Sequence, residues 1–336
     1  MDAQYQCLVF RQFSDQSLHD SGIFCRTTGF LSTRSSFLML SHCLKLVVAA
    51  WVIAAILLVA GFWYQPANII PQWYFAATFL FVPLLFAQFI VARLVNRTDS
   101  APKAPWWSVI KAWLAETRLM VRLVCWDLAF ASNRFPDQSD DAFSQRGRRG
   151  VVFIHGFVCN RGVWTPWLKK LTRSRRAFVA VSLVPVFGSI DRYVDAIEQA
   201  VRRVTEATGI PPLVVCHSMG GLAVRGWLRS SLDADVRVHH IVTIGSPHQG
   251  TWLSRMPFPS NAGQMAIGSV WLKNLQSNES ASRRRLFTCF YSNCDNIVFP
   301  TSSATLPGAH NRHIPGLAHL ALAFDQTVIS ESLAKL

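Results

Sequence analysis

A serine in the segment VVCHSMGGLAVRGWL (213–227) has the neighbours that a nucleophile needs. The segment begins as a β-branched apolar run, turns at Ser218, and continues with the spacing of a helix. The G-x-S-x-G pattern holds a serine in a strained conformation at such a strand-to-helix turn. Gly220 provides the second glycine of that pattern, Gly221 adds room, and Cys216 stands in place of the first glycine.

A serine hydroxyl is a weak nucleophile, so it needs a base whose orientation is fixed by an acidic residue. Where the serine lies on a strand-to-helix turn, the acid follows it in the chain and a histidine follows the acid. Asp295 comes just after a predicted strand and is the only carboxylate between Glu279 and Asp325. We therefore predict that Asp295 is the acid.

Three histidines near the end of the chain are candidates for the base. His319 stands in GLAHLAL, just before the last predicted helix. His310 and His313 stand in GAHNRHIPG, which we expect to form a loop before a Pro–Gly turn. Because the base of such a triad lies in the loop after the last strand, His319 is the preferred candidate.

A serine nucleophile also requires two backbone N–H groups that bind the developing oxyanion. The residue after the nucleophile, Met219, provides one of them. The second is expected in FIHGF (153–157), where Gly156 permits a turn and Phe157 donates its N–H. We interpret His155 as a residue that shapes this loop rather than as a base.

These residues depend on a sheet that brings the ends of distant strands together. From Gly150 onward, short β-branched runs alternate with patterns of helical period. This alternation predicts a mostly parallel sheet with helices on both faces. The predicted strands are 151–156, 177–183, 212–218, 239–248 and 285–292, and the predicted helices include 191–209, with Gly209 as C-cap, and 317–336.

The N-terminal third of the chain has no charged residue between Leu46 and Ala92. Two segments of about 20 apolar residues, near 43–64 and 73–95, flank the turn-forming YQPANIIPQW. A segment of this length crosses a bilayer core of about 30 Å, so the sequence predicts a transmembrane hairpin. Four aromatic residues, Trp63, Tyr64, Trp73 and Tyr74, stand where an aromatic belt is expected.

Basic residues flank both predicted spans and are absent from the turn between them. They are Arg26, Arg34 and Lys45 before the first span, and Arg93, Arg97, Lys103 and Lys111 after the second. The positive-inside rule then places both ends of the chain in the cytoplasm, as in a bacterial inner-membrane protein. The formal net charge of +14 suits an anionic membrane surface. Without a nucleic-acid-binding motif, it does not predict nucleic acid as a partner.

The regions around the hairpin are less regular. Residues 1–38 are polar and lack periodicity, so they are either disordered or an over-extended reading frame that starts at Met39. The segment 105–130 is helical in character and either lies in the membrane interface or packs against the C-terminal region. Residues 132–150 are polar and rich in helix breakers, which indicates a linker.

The eight cysteines have irregular spacing and no paired C-x-x-C element, so no zinc site is predicted. Cys289 and Cys294 either form a disulfide, in an oxidising compartment, or remain reduced near a strand end. We expect no metal and no organic cofactor.

Five ordered segments, VVFIHGFVCNRGVW, VVCHSMGGLAVRGWL, IVTIGSPHQGTW, YSNCDNIVFP and GLAHLAL, resemble the bacterial triacylglycerol lipase and esterase branch of the α/β-hydrolase superfamily. The resemblance covers about residues 148–336. It implies an α/β-hydrolase fold with a cap near 252–284. The expected organisation is a polar N-terminus (1–38), a transmembrane hairpin (39–97), an interfacial helix with a linker (98–147), and a hydrolase domain (148–336).

Together these features predict a membrane-anchored serine hydrolase that cleaves carboxylic, lipid-type esters. In the expected mechanism Ser218 attacks the acyl carbon, His319 moves the proton, and Asp295 stabilises the imidazolium, while Phe157 and Met219 bind the oxyanion. Acyl transfer and thioester hydrolysis on the same triad are alternatives, as is a non-catalytic membrane scaffold. The predicted partners are the membrane and a lipid or acyl-ester substrate, and the sequence does not identify protein partners.

Overall fold

The structure is a computed structural model, and it describes residues 40–53, 80–139, 145–231, 233–255 and 260–336. In this part of the chain six parallel strands form one sheet, in the spatial order β2, β1, β3, β4, β5, β6. The strands are β1 (Val151–Ile154), β2 (Phe178–Val181), β3 (Leu213–His217), β4 (His240–Ile244), β5 (Phe287–Tyr291) and β6 (His310–His313).

Helices cover both faces of this sheet, as predicted. They are α1 (Leu40–Ile53), α2 (Phe81–Val95), α3 (Trp106–Arg122), α4 (Thr165–Arg173), α5 (Val194–Thr208), α6 (Gly220–Ser230), α7 (Ser260–Gln264), α8 (Val270–Ser277), α9 (Ala281–Arg285), α10 (His319–Phe324) and α11 (Gln326–Leu333). Helix α3 continues into a π-helical segment, Leu123–Leu128. Gly209 ends α5 with a φ of +75°, which confirms the predicted C-cap.

The continuous apolar strands are explained by burial on both faces. In β1, Val152 and Ile154 join the hydrophobic cluster under α5 and α6, whereas Val151 and Phe153 join the cluster under α4, α10 and α11. Successive side chains of a strand point to opposite faces, so a strand between two helical layers needs apolar residues at every position. The prediction of a parallel sheet with two helical layers is therefore confirmed.

The C-terminal elements differ from the prediction in two places. Residues 310–313, predicted as a loop, form the edge strand β6, which pairs in parallel with β5 from Thr288↔His310 to Tyr291↔His313. The sequence HNRH gives no apolar signal because its side chains lie largely in solvent at the edge of the sheet. The predicted closing helix is divided into α10 and α11 at Asp325, whose side chain caps α11.

The predicted transmembrane hairpin lies partly outside the described residues. Among the described residues, one helical segment, Phe81–Thr98, is long and apolar enough to cross a membrane, and α1 is apolar but shorter. The turn YQPANIIPQW and the aromatic residues Trp63, Tyr64, Trp73 and Tyr74 lie outside the described residues, as does the N-terminus 1–38.

Helix α3 has two faces with different environments. Val109 and Ala112 are buried against α2 and α10, while Trp107 and Ile110 are exposed. One face of α3 therefore packs against the C-terminal region, and the other face is exposed. The described part of the predicted linker also packs closely, because Gln138 exchanges two backbone hydrogen bonds with Phe178 of β2.

Cys289 and Cys294 are both free thiols and both buried. Cys289 lies inside β5 and Cys294 in the loop that follows it, where its thiol contacts the hydroxyl of Ser108 on α3. Of the two alternatives for this pair, the structure contains the reduced one.

A buried ion pair attaches the α8–α9 segment to α6. Both side chains are completely or almost completely buried, and the Arg225 guanidinium binds Glu279 through two hydrogen bonds of 2.6 and 2.7 Å. A third bond of 2.9 Å runs from Arg225 to the carbonyl of His248. Planar two-point pairing of this kind fixes the positions of both partners.

Replacing Glu279 by alanine should destabilise the protein by about 3–5 kcal/mol, because the Arg225 charge then stays buried without the opposite charge that it binds. Chemical denaturation of the detergent-solubilised protein, followed by tryptophan fluorescence, measures this. Glu331→Ala, which removes the partner of Arg312 in an exposed pair, serves as control and should cost less than about 1 kcal/mol. Equal costs for the two variants would contradict the prediction.

Candidate active site

Ser218 occupies a strained turn at the carboxyl end of β3. Its φ is +54°, in the left-handed region that residues with a side chain rarely adopt. The turn is held because the Ser218 N–H donates to the carbonyl of Ile244 at the end of β4, and α6 begins two residues later at Gly220. The strand–turn–helix context predicted for Ser218 is therefore present.

Glycines around Ser218 leave room for this turn. A Cβ on Gly156 would lie 2.8 Å from the Ser218 Cβ, and a Cβ on Gly220 would lie 2.4 Å from the Ile154 carbonyl oxygen. Cys216, which departs from the glycine of the sequence pattern, is still within β3 and packs wholly inside the core. A small side chain is accommodated there because the turn has not yet begun.

Asp295 and His319 form a buried hydrogen-bonded pair at the same end of the sheet. His319 Nδ1 lies 2.9 Å from one carboxylate oxygen of Asp295 and 3.1 Å from the other. The Asp295 carboxylate also accepts the N–H groups of Ile297 and Val298, both at 2.8 Å. These bonds fix the carboxylate in one orientation, so the imidazole that it contacts is fixed as well.

The pKa of His319 reflects two opposing effects. Burial lowers the pKa of the imidazole, but the charge and hydrogen bond of Asp295, with the charge of Glu116 in addition, raise it above its ordinary value of 6.5. The net upward direction means that the site stabilises the imidazolium form. A base that becomes positively charged during a reaction benefits from this environment.

His217 contacts the His319 ring on another side. The two ring centroids are 4.6 Å apart, and His217 Nε2 lies 3.3 Å from the His319 carbonyl oxygen. Burial and the nearby His319 charge hold the pKa of His217 well below its ordinary value. His217 therefore stays neutral near pH 7 and adds no positive charge beside the base.

Phe157 and Met219 are the two residues predicted to supply oxyanion donors. Among the described residues, neither the Phe157 N–H nor the Met219 N–H donates to another protein group.

His155 explains how the Phe157 N–H is oriented. The His155 Nε2 accepts the Leu183 N–H at 2.9 Å, so its proton is on Nδ1, which donates to the Gly156 carbonyl at 2.8 Å.

A trans peptide points its C=O and N–H in opposite directions. Since His155 binds the Gly156 carbonyl, the N–H of the same peptide, on Phe157, points away from His155. Burial lowers the pKa of His155 to about 4, so this neutral tautomer persists at physiological pH. The arrangement agrees with a loop-shaping role for His155.

The two other candidates for the base, His310 and His313, do not contact Asp295. His310 is exposed on the edge strand β6, and the ring of His313 packs on Tyr291 with centroids 5.1 Å apart. Of the described histidines, His319 is the one that hydrogen-bonds to Asp295.

The Ser218 hydroxyl makes no hydrogen bond to a described residue. Hydrogen bonds between catalytic groups often form only when substrate binds. No cluster of metal-ligating side chains occurs among the described residues.

Sequence reasoning did not identify Glu116, whose carboxylate on α3 binds the start of α10. A signal was present, because Val109, Ala112 and Glu116 recur at helical spacing on the buried face and only the last is acidic. It also missed Asn296, whose side-chain oxygen accepts the His319 N–H at 3.3 Å.

The imidazole of His319 should titrate above pH 6.5, and Asp295→Asn should lower its midpoint, because the variant lacks a negative charge that opposes the effect of burial on the His319 pKa. The measurement is an NMR pH titration of the imidazole resonances, assigned by their loss in His319→Gln. Asp325→Asn, at the cap of α11, is the control and should leave the midpoint in place. A midpoint unmoved by Asp295→Asn would contradict the prediction.

Structures similar to the chain include lipase BlEst2 of Bacillus licheniformis in mature form (15% identity, 53% of this chain and 87% of that chain, TM-score 0.47) and Aspergillus fumigatus lipase B (18%, 54% and 52%, 0.47). Phospholipase PlaB of Legionella pneumophila is similar over 43% of this chain and 38% of its own, at 17% identity and a TM-score of 0.37.

The chain thus spans about half of the Aspergillus protein and most of the Bacillus protein. A search of curated protein sequences gives no match. The sequence profile of the alpha/beta hydrolase family matches residues 151–322, from the first residue of β1 into α10. This protein therefore belongs to the alpha/beta hydrolase family.

Proposed function

We propose that this protein is a membrane-anchored serine hydrolase that cleaves carboxylic esters of lipid type. The observation that carries the proposal is the buried Asp295–His319 hydrogen bond at the sheet end that also holds the strained Ser218 turn. The chain order Ser, Asp, His is the order in which this fold arranges a catalytic triad.

The reaction follows the acyl-enzyme route. The Ser218 oxygen attacks the acyl carbon while His319 accepts the hydroxyl proton, and the negative charge on the carbonyl oxygen is bound by the N–H groups of Phe157 and Met219. His319 returns the proton to the departing alcohol, which leaves an ester on Ser218. Water, deprotonated by His319, then attacks this ester, and Ser218 regains its proton as the acid product leaves.

Exposed apolar residues at the loop after β1 support acyl chains as the substrate class. Gly156 of this loop lies against Ser218, the next residue, Phe157, packs edge-on against Phe187, which is 56% exposed, and Val158 is exposed as well. Exposed apolar residues grouped beside a site are typical of surfaces that bind apolar ligands.

The segment near 252–284 is proposed to act as a cap. Ser218 is only 9% exposed. The side-chain amide of Asn261 on α7 reaches both the Val186 carbonyl, at 3.0 Å, and the Met219 sulfur, at 3.9 Å. Entry of a lipid substrate then requires this segment to move away from the turn.

Membrane anchoring is supported by the exposed face of α3 and by the apolar segment Phe81–Thr98, most of which is exposed although one face packs on the hydrolase domain. Trp107 is 61% exposed, and Lys111 lies 4.8 Å from its ring centroid, a pairing of aromatic and basic groups suited to an anionic lipid interface. We propose the bacterial inner membrane as the location, with a hairpin over 39–97, an interfacial segment over 98–147, and the hydrolase domain, 148–336, in the cytoplasm.

The detergent-solubilised full-length protein should react with a fluorophosphonate probe, and Ser218→Ala should abolish labelling because the nucleophile is removed. Hydrolysis of a p-nitrophenyl acyl ester should fall by about 10⁴-fold or more in Ser218→Ala and in His319→Ala. Ser282→Ala, at an exposed serine of α9, should retain both activities. Labelling that persists in Ser218→Ala would contradict the assignment, and folded wild type without labelling would favour a scaffold.

Alkaline carbonate should leave the full-length protein in the membrane pellet of a bacterial host, since an apolar span resists extraction. Protease added to intact spheroplasts should spare the hydrolase domain and should degrade it after lysis. A periplasmic and a cytoplasmic marker protein serve as controls. Release by carbonate would disprove the anchor, and digestion in intact spheroplasts would reverse the proposed orientation.

A further inference from the structure

Helices α2 and α3 lie before residues 151–322, which match the family profile, yet they pack against the loops that carry Asp295 and His319. Gln88 of α2 accepts a hydrogen bond of 2.9 Å from the side-chain amide of Asn296. Asn296 in turn accepts the His319 N–H. The small residues on either side of the His319 turn, Ala318 and Ala321, belong to the same apolar cluster as α2 and α3.

Within this contact, Glu116 of α3 binds the backbone of the helix that begins with His319. Its two carboxylate oxygens lie 2.9 and 3.1 Å from the Leu320 nitrogen, and one of them lies 3.3 Å from the Ala321 nitrogen. These amides are among the N–H groups at the start of a helix that have no acceptor within the helix. Glu116 therefore fixes the first turn of α10 and, with it, the direction of the His319 side chain.

Burying the charged carboxylate of Glu116 lowers the stability of the folded protein. The side chain is fully buried, and it forms no ion pair with a described basic residue. Burial raises the pKa of the carboxyl group to about 7, although the Leu320 N–H acts in the opposite direction. A neutral residue would cap α10 without this desolvation penalty, so capping alone does not explain a carboxylate here.

The nearby imidazole of His319 explains why a carboxylate occupies this position. The charge of Glu116 acts on His319 and favours its protonated form, as the charge of Asp295 does. Three titratable groups thus surround the His319 ring, from three different elements: Asp295 after β5, His217 at the end of β3, and Glu116 on α3. Of these, His217 is neutral near pH 7, whereas Glu116, whose pKa is about 7, carries its negative charge in part of the molecules at that pH and in more of them as the pH rises.

We propose that Glu116 is a positioning residue for the base of the triad. It orients the first turn of α10 through two backbone amides, and its negative charge stabilises the imidazolium that forms when Ser218 attacks. The inference rests on the proposed serine-hydrolase function. Under this proposal α3, which lies before the residues that match the family profile, contributes to the reaction through Glu116.

The test compares Glu116→Gln, Glu116→Ala and Glu206→Gln in the detergent-solubilised full-length protein. Gln keeps an acceptor oxygen but removes the charge, Ala removes both, and Glu206 is an exposed carboxylate of α5 that serves as the matched charge control. The readout is the pH profile of kcat/KM for a p-nitrophenyl acyl ester.

In Glu116→Gln the acid limb of this profile should move to lower pH, because His319 loses a charge that favours its protonated form. In Glu116→Ala kcat should fall by about a hundredfold, the cost of a misplaced catalytic group, with KM changed less than about threefold. Glu206→Gln should match the wild type in both respects. An acid limb and kcat unchanged in Glu116→Gln and Glu116→Ala would overturn the proposal.

An NMR titration of the His319 imidazole, in Ser218→Ala with and without Glu116→Gln, separates this inference from the proposed function. A lower midpoint with Glu116→Gln supports the role of Glu116 even if the wild type hydrolyses no ester, and an unmoved midpoint disproves the electrostatic part of that role. Failure of the wild type to react with fluorophosphonate would instead count against the serine-hydrolase function.

Discussion

The hydrogen bond between Asp295 and His319 places a carboxylate and an imidazole where water is almost excluded. A buried carboxylate keeps its charge only when hydrogen-bond donors surround it, and here the Ile297 and Val298 amides join the imidazole in that role. The loop after β5 must therefore turn so that two successive N–H groups point at one oxygen. The course of this loop and the position of the imidazole both provide hydrogen-bond donors for the buried carboxylate of Asp295.

The same requirement explains why α2 and α3 belong to the structure of the site. The loops that carry Asp295 and His319 are covered on their outer side, so their remaining polar groups need partners from whatever covers them. Ser108, Glu116 and Gln88 supply those partners, together with Asn96 and Asp99, which accept the N–H groups of Thr301 and Ser302. The N-terminal helices thus replace water over the loops of Asp295 and His319.

Local sequence patterns were sufficient for the sheet, the helical layers and the position of Ser218, because β-branched runs buried on both faces and a glycine-bounded turn have short-range signals. They were not sufficient for β6 or Glu116. The side chains of β6 are polar because it lies at an edge, and its pairing with β5 is a tertiary contact. Glu116 acts on residues more than 200 positions later in the chain, a relation that no local window contains.

Energetically unfavourable features, namely backbone strain and a buried carboxylate, are concentrated at one end of the sheet. Of the three described non-glycine residues with positive φ, Ser218 lies at the turn after β3 and Val158 lies in the loop after β1, and a β-branched residue such as Val158 is especially strained in this conformation. The buried carboxylate of Glu116 adds a desolvation cost beside them. Strain and buried charge persist where surrounding structure enforces them, and they collect at sites that do chemistry. Backbone strain at Ser218 and Val158, and the buried carboxylate of Glu116 next to the helix of His319, are therefore compatible with the proposed role of this end of the sheet.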